Sequence, residues 1–217
     1  NMIVELIRRT KATFVVPDYP LAPESNYLDV YDMVETVYKD VVKATSNEKI
    51  FVMGDSAGAG LALGLMQKMR NEHIERLAQI ILLSPWLDVT MTNPEAKEVE
   101  EHDILLKVEG LRKAGLKYAG KDDPRIPMIS PINGTFDGLG VISFFSSSDD
   151  VLVADSHKLV HLLEEQKIPF NYFEYPHMFH GWMTIVGMDE AKACLEQVVK
   201  LIVTADGLLK SENNNPK

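Results

Sequence analysis

The stretch Gly54-Asp-Ser-Ala-Gly58 decides the fold. It follows an apolar run at 49–53 that is typical of a buried strand, and it precedes apolar residues at helical spacing that reach Met69. A G-x-S-x-G sequence on a sharp turn from strand to helix presents its serine hydroxyl above the edge of the sheet. Small flanking residues are needed because such a turn brings neighbouring backbone close together. This context predicts that Ser56 is a nucleophile.

The residue after this serine is predicted to supply an oxyanion donor. The amide of Ala57 falls at the N-terminus of the predicted helix, where unpaired N–H groups and the helix dipole favour negative charge. Such an amide stabilises the oxyanion of an acyl-transfer intermediate. The alternatives are a glycine-rich turn without chemistry and a phosphate-binding loop, but a P-loop ends in Gly-Lys-Ser/Thr and the sequence has no such ending.

Short apolar strands alternate with amphipathic helices along most of the chain. Besides the strand at 49–53, the sequence predicts strands at 12–17, 79–83, 140–145 and 170–175. This alternation is typical of an α/β fold with an open, mostly parallel sheet of about five strands, flanked by helices on both faces. We predict a single domain over 1–210, with an inserted cap-like segment at 86–139 and a disordered tail at 211–217.

A serine nucleophile needs a base and a carboxylate, and both are predicted where strands end. In open parallel sheets the reacting groups lie at the carboxyl ends of strands. His180, after the last strand, is the predicted base and His177 is its rival. Asp150, after the preceding strand, is the predicted carboxylate that orients the imidazole, with Asp149 as the alternative. The chain order Ser, Asp, His is the order expected for this fold.

Several motifs occur together and in a defined order. They are Asp18-Tyr-Pro-Leu-Ala-Pro-Glu24, Gly54-Asp-Ser-Ala-Gly58, Ser84-Pro-Trp86 with Asp88, Asp150-Val-Leu152 and His177-Met-Phe-His180-Gly181. On these residues the sequence resembles the hormone-sensitive-lipase-like family of α/β-hydrolases, bacterial carboxylesterases and lipases in particular. The resemblance implies Ser56 as nucleophile, Asp150 as acid member and His180 as base. It also implies an acyl-enzyme mechanism on short-chain esters, without a cofactor.

The sequence departs from that family in its first residues. The family has a His-Gly-Gly-Gly loop, which supplies most of the oxyanion hole, and about three further strands before the one at 12–17. Neither feature is present in this sequence, so we expect an N-terminally truncated chain with weak or no esterase activity. Asn1 before Met2 is typical of a cloning remnant. Three arrangements fit the strand at 12–17: pairing with 49–53, pairing across a homodimer, or a longer natural protein.

Composition narrows the class of protein. The 217 residues hold 22 Lys and Arg against 32 Asp and Glu, which argues against a nucleic-acid-binding surface. A single cysteine excludes an intrachain disulfide framework and a multi-cysteine zinc site. No apolar run reaches the ~18 residues of a membrane span, and the basic residues near the start follow the apolar ones, unlike a signal peptide. We expect a cytoplasmic protein with a small-molecule ester as its partner.

Two further hypotheses are weighed against this interpretation. His157 and His161 stand four residues apart on a predicted helix and could share a metal, but without a nearby carboxylate motif they favour a solvated helix face. A non-catalytic member of the fold that binds a ligand or protein is the second hypothesis. Such a member is expected to lose its histidine base, and the presence of His180 favours the enzyme.

Overall fold

The computed structural model describes residues 2–45, 48–74, 77–185 and 187–204. The helices are α1 (Met2–Thr10), α2 (Tyr27–Ala44), α3 (Ala57–Asn71), α4 (Glu95–Val99), α5 (Val108–Ala119), α6 (Val153–Glu165) and α7 (Asp189–Val203). The strands are β1 (Phe51–Asp55), β2 (Gln79–Leu83), β3 (Val141–Ser147) and β4 (Phe170–Tyr175). The predicted tail at 211–217 lies outside the described residues.

The four strands form one parallel sheet in the order β1-β2-β3-β4. The register is even, since Leu83 at the end of β2 pairs with Asp55 of β1 and with Phe145 of β3. The carboxyl ends of the strands therefore lie along one edge of the sheet. This is the edge at which an α/β sheet carries its reacting groups.

Helices cover both faces of the sheet, which explains why every residue of β2 and β3 is buried. On one face, α2, α3 and α6 pack against alternate strand residues in cluster 1, which includes Tyr31, Leu63, Met66, Leu82, Phe144 and Leu159. On the other face, α1 and α7 pack in cluster 2, which includes Leu6, Ile81, Leu83, Phe145, Trp182 and Val198. The predicted α/β fold is confirmed.

The prediction of a strand at 12–17 is wrong. No regular structure forms over residues 11–21, so the described sheet has four strands instead of about five. Phe14 packs against cluster 2, but Val15 and Val16 are 56% and 64% exposed. The apolar, β-branched composition favours an extended backbone, yet a strand exists only where a neighbouring strand accepts its hydrogen bonds. The segment does not pair with β1, which excludes the first of the three arrangements considered for it.

The connection from β2 to β3 carries α4, α5 and a 3-10 helix at Pro131–Asn133. Part of it joins the loop after β3 in a third apolar group, cluster 3, formed by Met91, Ala96, Val108, Val151, Leu152 and Ala154. The long β2–β3 connection is thereby packed directly against the loop that holds Asp150. Among the residues that the structure describes, no helix is long and apolar enough to cross a membrane.

Candidate active site

Ser56 occupies a strained turn between β1 and α3. Its φ of 52° and ψ of −119° lie outside the regions that L-residues favour. Its amide donates to the Leu83 carbonyl (2.8 Å) at the end of β2, and its carbonyl accepts from the Trp86 amide (3.1 Å) just after β2, so its backbone is held on both sides. A Cβ at position 54 would lie 2.2 Å from the Gly58 carbonyl oxygen, which only glycine avoids. The turn therefore fixes Ser56 above the carboxyl edge of the sheet.

Three predicted residues meet at this point in an unbroken chain of hydrogen bonds. The Nε2 atom of His180 lies 2.9 Å from Ser56 Oγ. The Nδ1 atom of the same ring lies 2.8 Å from Asp150 Oδ2. The contacts join loops that follow three different strands, and they span 124 and 30 residues of sequence. The structure thus brings together the serine, histidine and aspartate that the sequence analysis selected.

The electrostatics of the site favour a charged imidazole. Burial by itself lowers the pKa of His180, but the hydrogen bond to Asp150 and the charges of Asp150, Asp103 and Asp55 outweigh it and raise that pKa above its ordinary value. The Asp150 side chain is only 1% exposed and the His180 side chain 15% exposed, so water screens their attraction weakly. A proton taken from Ser56 would therefore be held firmly on His180.

Ala57 is the first residue of α3 and is exposed. As the first helical residue it has no carbonyl one turn earlier in the helix to which its amide could donate. The amide stands beside the Ser56 hydroxyl at the positive end of the helix dipole. Its position is that of the predicted oxyanion donor.

The rival residues form a pair of their own. His177 Nδ1 lies 3.2 Å from both carboxylate oxygens of Asp149. The His177 side chain is 83% exposed and neither residue contacts Ser56 in the described hydrogen bonds. The histidine loop is held instead by its backbone, because the Met178 amide donates to Ser147 Oγ (2.8 Å) and the His177 amide donates to Ser148 Oγ (2.9 Å).

Sequence reasoning missed two polar groups that shape the site. Ser147, fully buried at the end of β3, donates its hydroxyl to the Met178 carbonyl (2.7 Å) and so ties the histidine loop to the sheet. The run Ser146-Ser-Ser148 at the end of an apolar strand is a signal that could have found it. Asp103, 3% exposed, accepts a hydrogen bond from the Val151 amide (2.9 Å), next to Asp150.

His157 does not lie on a solvated helix face, contrary to the prediction. Its Nδ1 atom lies 2.6 Å from Glu95 Oε1 and its Nε2 atom 2.9 Å from Glu174 Oε2. The hydrogen bond to Glu174 has the largest effect on the pKa of His157. Together with the bond to Glu95 it outweighs the lowering by burial and raises this pKa to about 9. His157 is therefore a charged link between α4, α6 and β4. Among the described residues no group of three or more His, Cys, Asp or Glu is arranged to hold a metal.

The chain is similar in sequence and in fold to known hydrolases. A family model described as alpha/beta hydrolase fold matches residues 1–184. An esterase of Acinetobacter venetianus is 31% identical over 209 residues, which cover 94% of this chain and 69% of the relative. An acetyl-hydrolase of Streptomyces hygroscopicus is 29% identical over 165 residues, 76% of this chain and 55% of the relative. The crystal structure of a hormone-sensitive lipase from a metagenome library has a TM-score of 0.87 at 26% identity, covering 93% of this chain and 70% of that one.

The chain therefore belongs to the α/β-hydrolase family, within its hormone-sensitive-lipase-like carboxylic ester hydrolases. It spans 69% of the length of the Acinetobacter esterase and 55% of that of the Streptomyces acetyl-hydrolase.

Proposed function

We propose that this chain carries the catalytic machinery of a serine esterase that cleaves short-chain carboxylic esters through an acyl-enzyme. The observation that carries the proposal is the continuous hydrogen-bond chain from Asp150 through His180 to Ser56, with 2.8 Å and 2.9 Å steps. The Streptomyces relative is named an acetyl-hydrolase, which supports a small acyl group.

The geometry supports a two-step reaction. In the first step Ser56 Oγ attacks the ester carbonyl carbon while its proton passes to His180 Nε2, and the tetrahedral intermediate then expels the alcohol, which takes that proton. In the second step His180 removes a proton from water, the hydroxide attacks the acyl-enzyme, and the carboxylic acid leaves as Ser56 recovers its proton. Asp150 holds the ring so that Nε2 faces Ser56, and it stabilises the imidazolium in both steps.

The oxyanion that forms in each step needs hydrogen-bond donors. The Ala57 amide is one such donor. The His-Gly-Gly-Gly motif, which supplies further donors in the hormone-sensitive-lipase-like family, does not occur in the sequence. Each missing donor costs on the order of 10²–10³ in rate. We therefore expect this chain to turn over a nitrophenyl acetate slowly, and a longer chain that carries that motif to turn it over at least about 10²-fold faster. Equal turnover by the two chains would contradict this expectation.

The nucleophile can be tested separately from turnover. A fluorophosphonate probe reacts with a serine that has a working base and needs no second, hydrolytic step. We expect it to label the wild-type chain, to leave Ser56→Ala unlabelled, and to label a control variant at the half-buried Ser25, which lies before α2, Ser25→Ala, as it does the wild type. Failure to label both this chain and the longer one would reject the esterase proposal and favour a non-catalytic, ligand-binding member of the fold.

A further inference from the structure

Asp103 is a buried carboxylate in the β2–β3 connection whose bonds reach the active-site loop. Its Oδ1 atom accepts from the Leu105 and Leu106 amides, both at 2.8 Å, and so closes the turn in which it lies. Its Oδ2 atom accepts from the Val151 amide at 2.9 Å. The side chain is 3% exposed. One carboxylate thus receives three backbone N–H groups, two from its own turn and one from the loop after β3.

The Val151 bond lies one residue from the catalytic carboxylate. Asp150 is itself 1% exposed, and its Oδ1 atom accepts from the Leu152 amide (3.0 Å) while Oδ2 faces His180. The loop thus donates the amides of Val151 and Leu152 to two different carboxylates. Without the Asp103 bond the loop loses its anchor at Val151. This residue directly precedes Leu152, whose amide holds the Asp150 carboxylate.

Apolar packing reinforces the same junction. Cluster 3 joins Met91, Ala96 and Val108 of the β2–β3 connection to Val151 and Leu152 of the loop after β3 and to Ala154 of α6. Asp103 is therefore a polar link beside an apolar contact, where a buried N–H donor left without an acceptor is destabilising. The position of the Asp150 loop thus depends on a segment that contributes no member of the triad.

The Asp103 carboxylate also acts on His180 through its charge. The groups that act on His180 are Asp55 at the end of β1, Ser56 from the turn after it, Asp150 from the loop after β3, and Asp103 from the β2–β3 connection. All the carboxylates favour the imidazolium form. A charge that is buried and fixed stabilises the imidazolium without any reorganisation as it forms.

We propose that Asp103 is a positioning residue of the esterase site: its buried carboxylate fixes the Asp150 loop through the Val151 amide and adds a fixed negative charge toward His180. This inference rests on the proposed function. It assigns to the β2–β3 connection a part in catalysis besides covering the sheet.

Asp103→Asn is the main test, with Asp88→Asn as its matched control. Asn keeps one carbonyl oxygen for the turn but removes the charge and sets an N–H₂ group against the Val151 N–H. Asp88 lies in the same connection, is 5% exposed and accepts from the Thr90 amide at 2.8 Å, but has no described bond to the Asp150 loop. Asp103→Ser is a second variant for the case that Asp103→Asn does not fold. The serine hydroxyl can still accept from the Leu105 amide.

Three readouts are compared: the rate of fluorophosphonate labelling, the NMR titration of the His180 ring assigned with His180→Gln, and the thermal midpoint. We expect Asp103→Asn and Asp103→Ser to label on the order of 10- to 100-fold more slowly than the wild type and to titrate His180 at lower pH. Asp88→Asn is expected to keep the wild-type labelling rate and the wild-type His180 titration, even if its thermal midpoint falls as far as that of Asp103→Asn.

Two outcomes would overturn the inference. An unchanged His180 titration with an unchanged labelling rate removes both roles of Asp103. Equal losses in Asp88→Asn and Asp103→Asn reduce its role to general stability. Failure of the proposed esterase function is a different result, because it abolishes Ser56-dependent labelling in the wild type while the His180 titration is still measured.

Discussion

Two aspartate–histidine pairs lie side by side at the carboxyl edge of the sheet, with their aspartates adjacent in sequence and their histidines three residues apart. Asp150 and His180 are 1% and 15% exposed and are joined at 2.8 Å, whereas Asp149 and His177 are 29% and 83% exposed and are joined at 3.2 Å. Among the hydrogen bonds of the described residues, the first pair reaches Ser56, whereas Asp149 of the second pair accepts from the neighbouring Ser148 hydroxyl. The two pairs consist of the same residue types but differ in burial and in their third partner, and these properties separate the proposed catalytic pair from a surface pair.

The largest expected difference between the pairs follows from replacing the histidines. His180→Gln removes the base of Ser56, and we expect labelling and ester turnover to fall by about 10⁴-fold or more. His177→Gln is expected to stay within about twofold of the wild type, since the described hydrogen bonds of the His177 ring are to Asp149 at the surface. Nitrophenyl acetate hydrolysis and fluorophosphonate labelling measure both. A comparable loss of activity in the two variants would contradict the assignment of His180, and not His177, as the base.

Replacing the aspartates is expected to give the next largest effect. Asp150→Asn retains the size of the side chain but favours the wrong histidine tautomer, and a loss of about 10⁴-fold in kcat is expected with little change in KM. Asp149→Asn should leave kcat within about twofold. If Asp149→Asn proved the more damaging variant, the assignment of the acid member would have to be exchanged.

The pH dependence sharpens the comparison with a smaller effect. The neutral form of His180 is the base and the pKa of this group is raised, so activity should fall as pH drops through that pKa, by about tenfold per unit below it. The midpoint should lie above the ordinary histidine value of about 6.5. His177→Gln should reproduce the pH–activity profile of the wild type when initial rates are measured across the same pH series. A midpoint below 6.5 would mean that burial outweighs Asp150.

The smallest effect concerns stability. The Asp149–His177 pair is exposed on its histidine side, so its removal in His177→Gln should lower the free energy of unfolding by less than about 1 kcal/mol. In the protonated form of His177, added salt should shrink even that difference, because salt screens exposed charges. Urea titrations of the wild type and variant at two salt concentrations measure it. A larger, salt-independent loss would show that the surface pair supports the histidine loop.

The sequence predicted those parts of the molecule that depend on local pattern. The strand at 170–175 has the predicted bounds, and the order of Ser56, Asp150 and His180 after three strands predicted their meeting. The segment at 12–17 failed because strand formation depends on a neighbour and not on composition alone. The partners of His157 were missed for a similar reason: Glu95 and Glu174 come from α4 and β4, 62 and 17 residues away.

The strained backbone of Ser56 sets function against stability within a single residue. A non-glycine residue held at φ 52°, ψ −119° costs on the order of 1–3 kcal/mol, and alanine at this position keeps that cost while removing the hydroxyl. Glycine adopts the conformation freely but loses more backbone entropy on folding. We expect Ser56→Gly to be more stable than Ser56→Ala by about 1 kcal/mol. Selection for thermal stability alone would therefore favour loss of the nucleophile, so a stabilised version of this chain has to be screened for labelling and not for melting temperature alone.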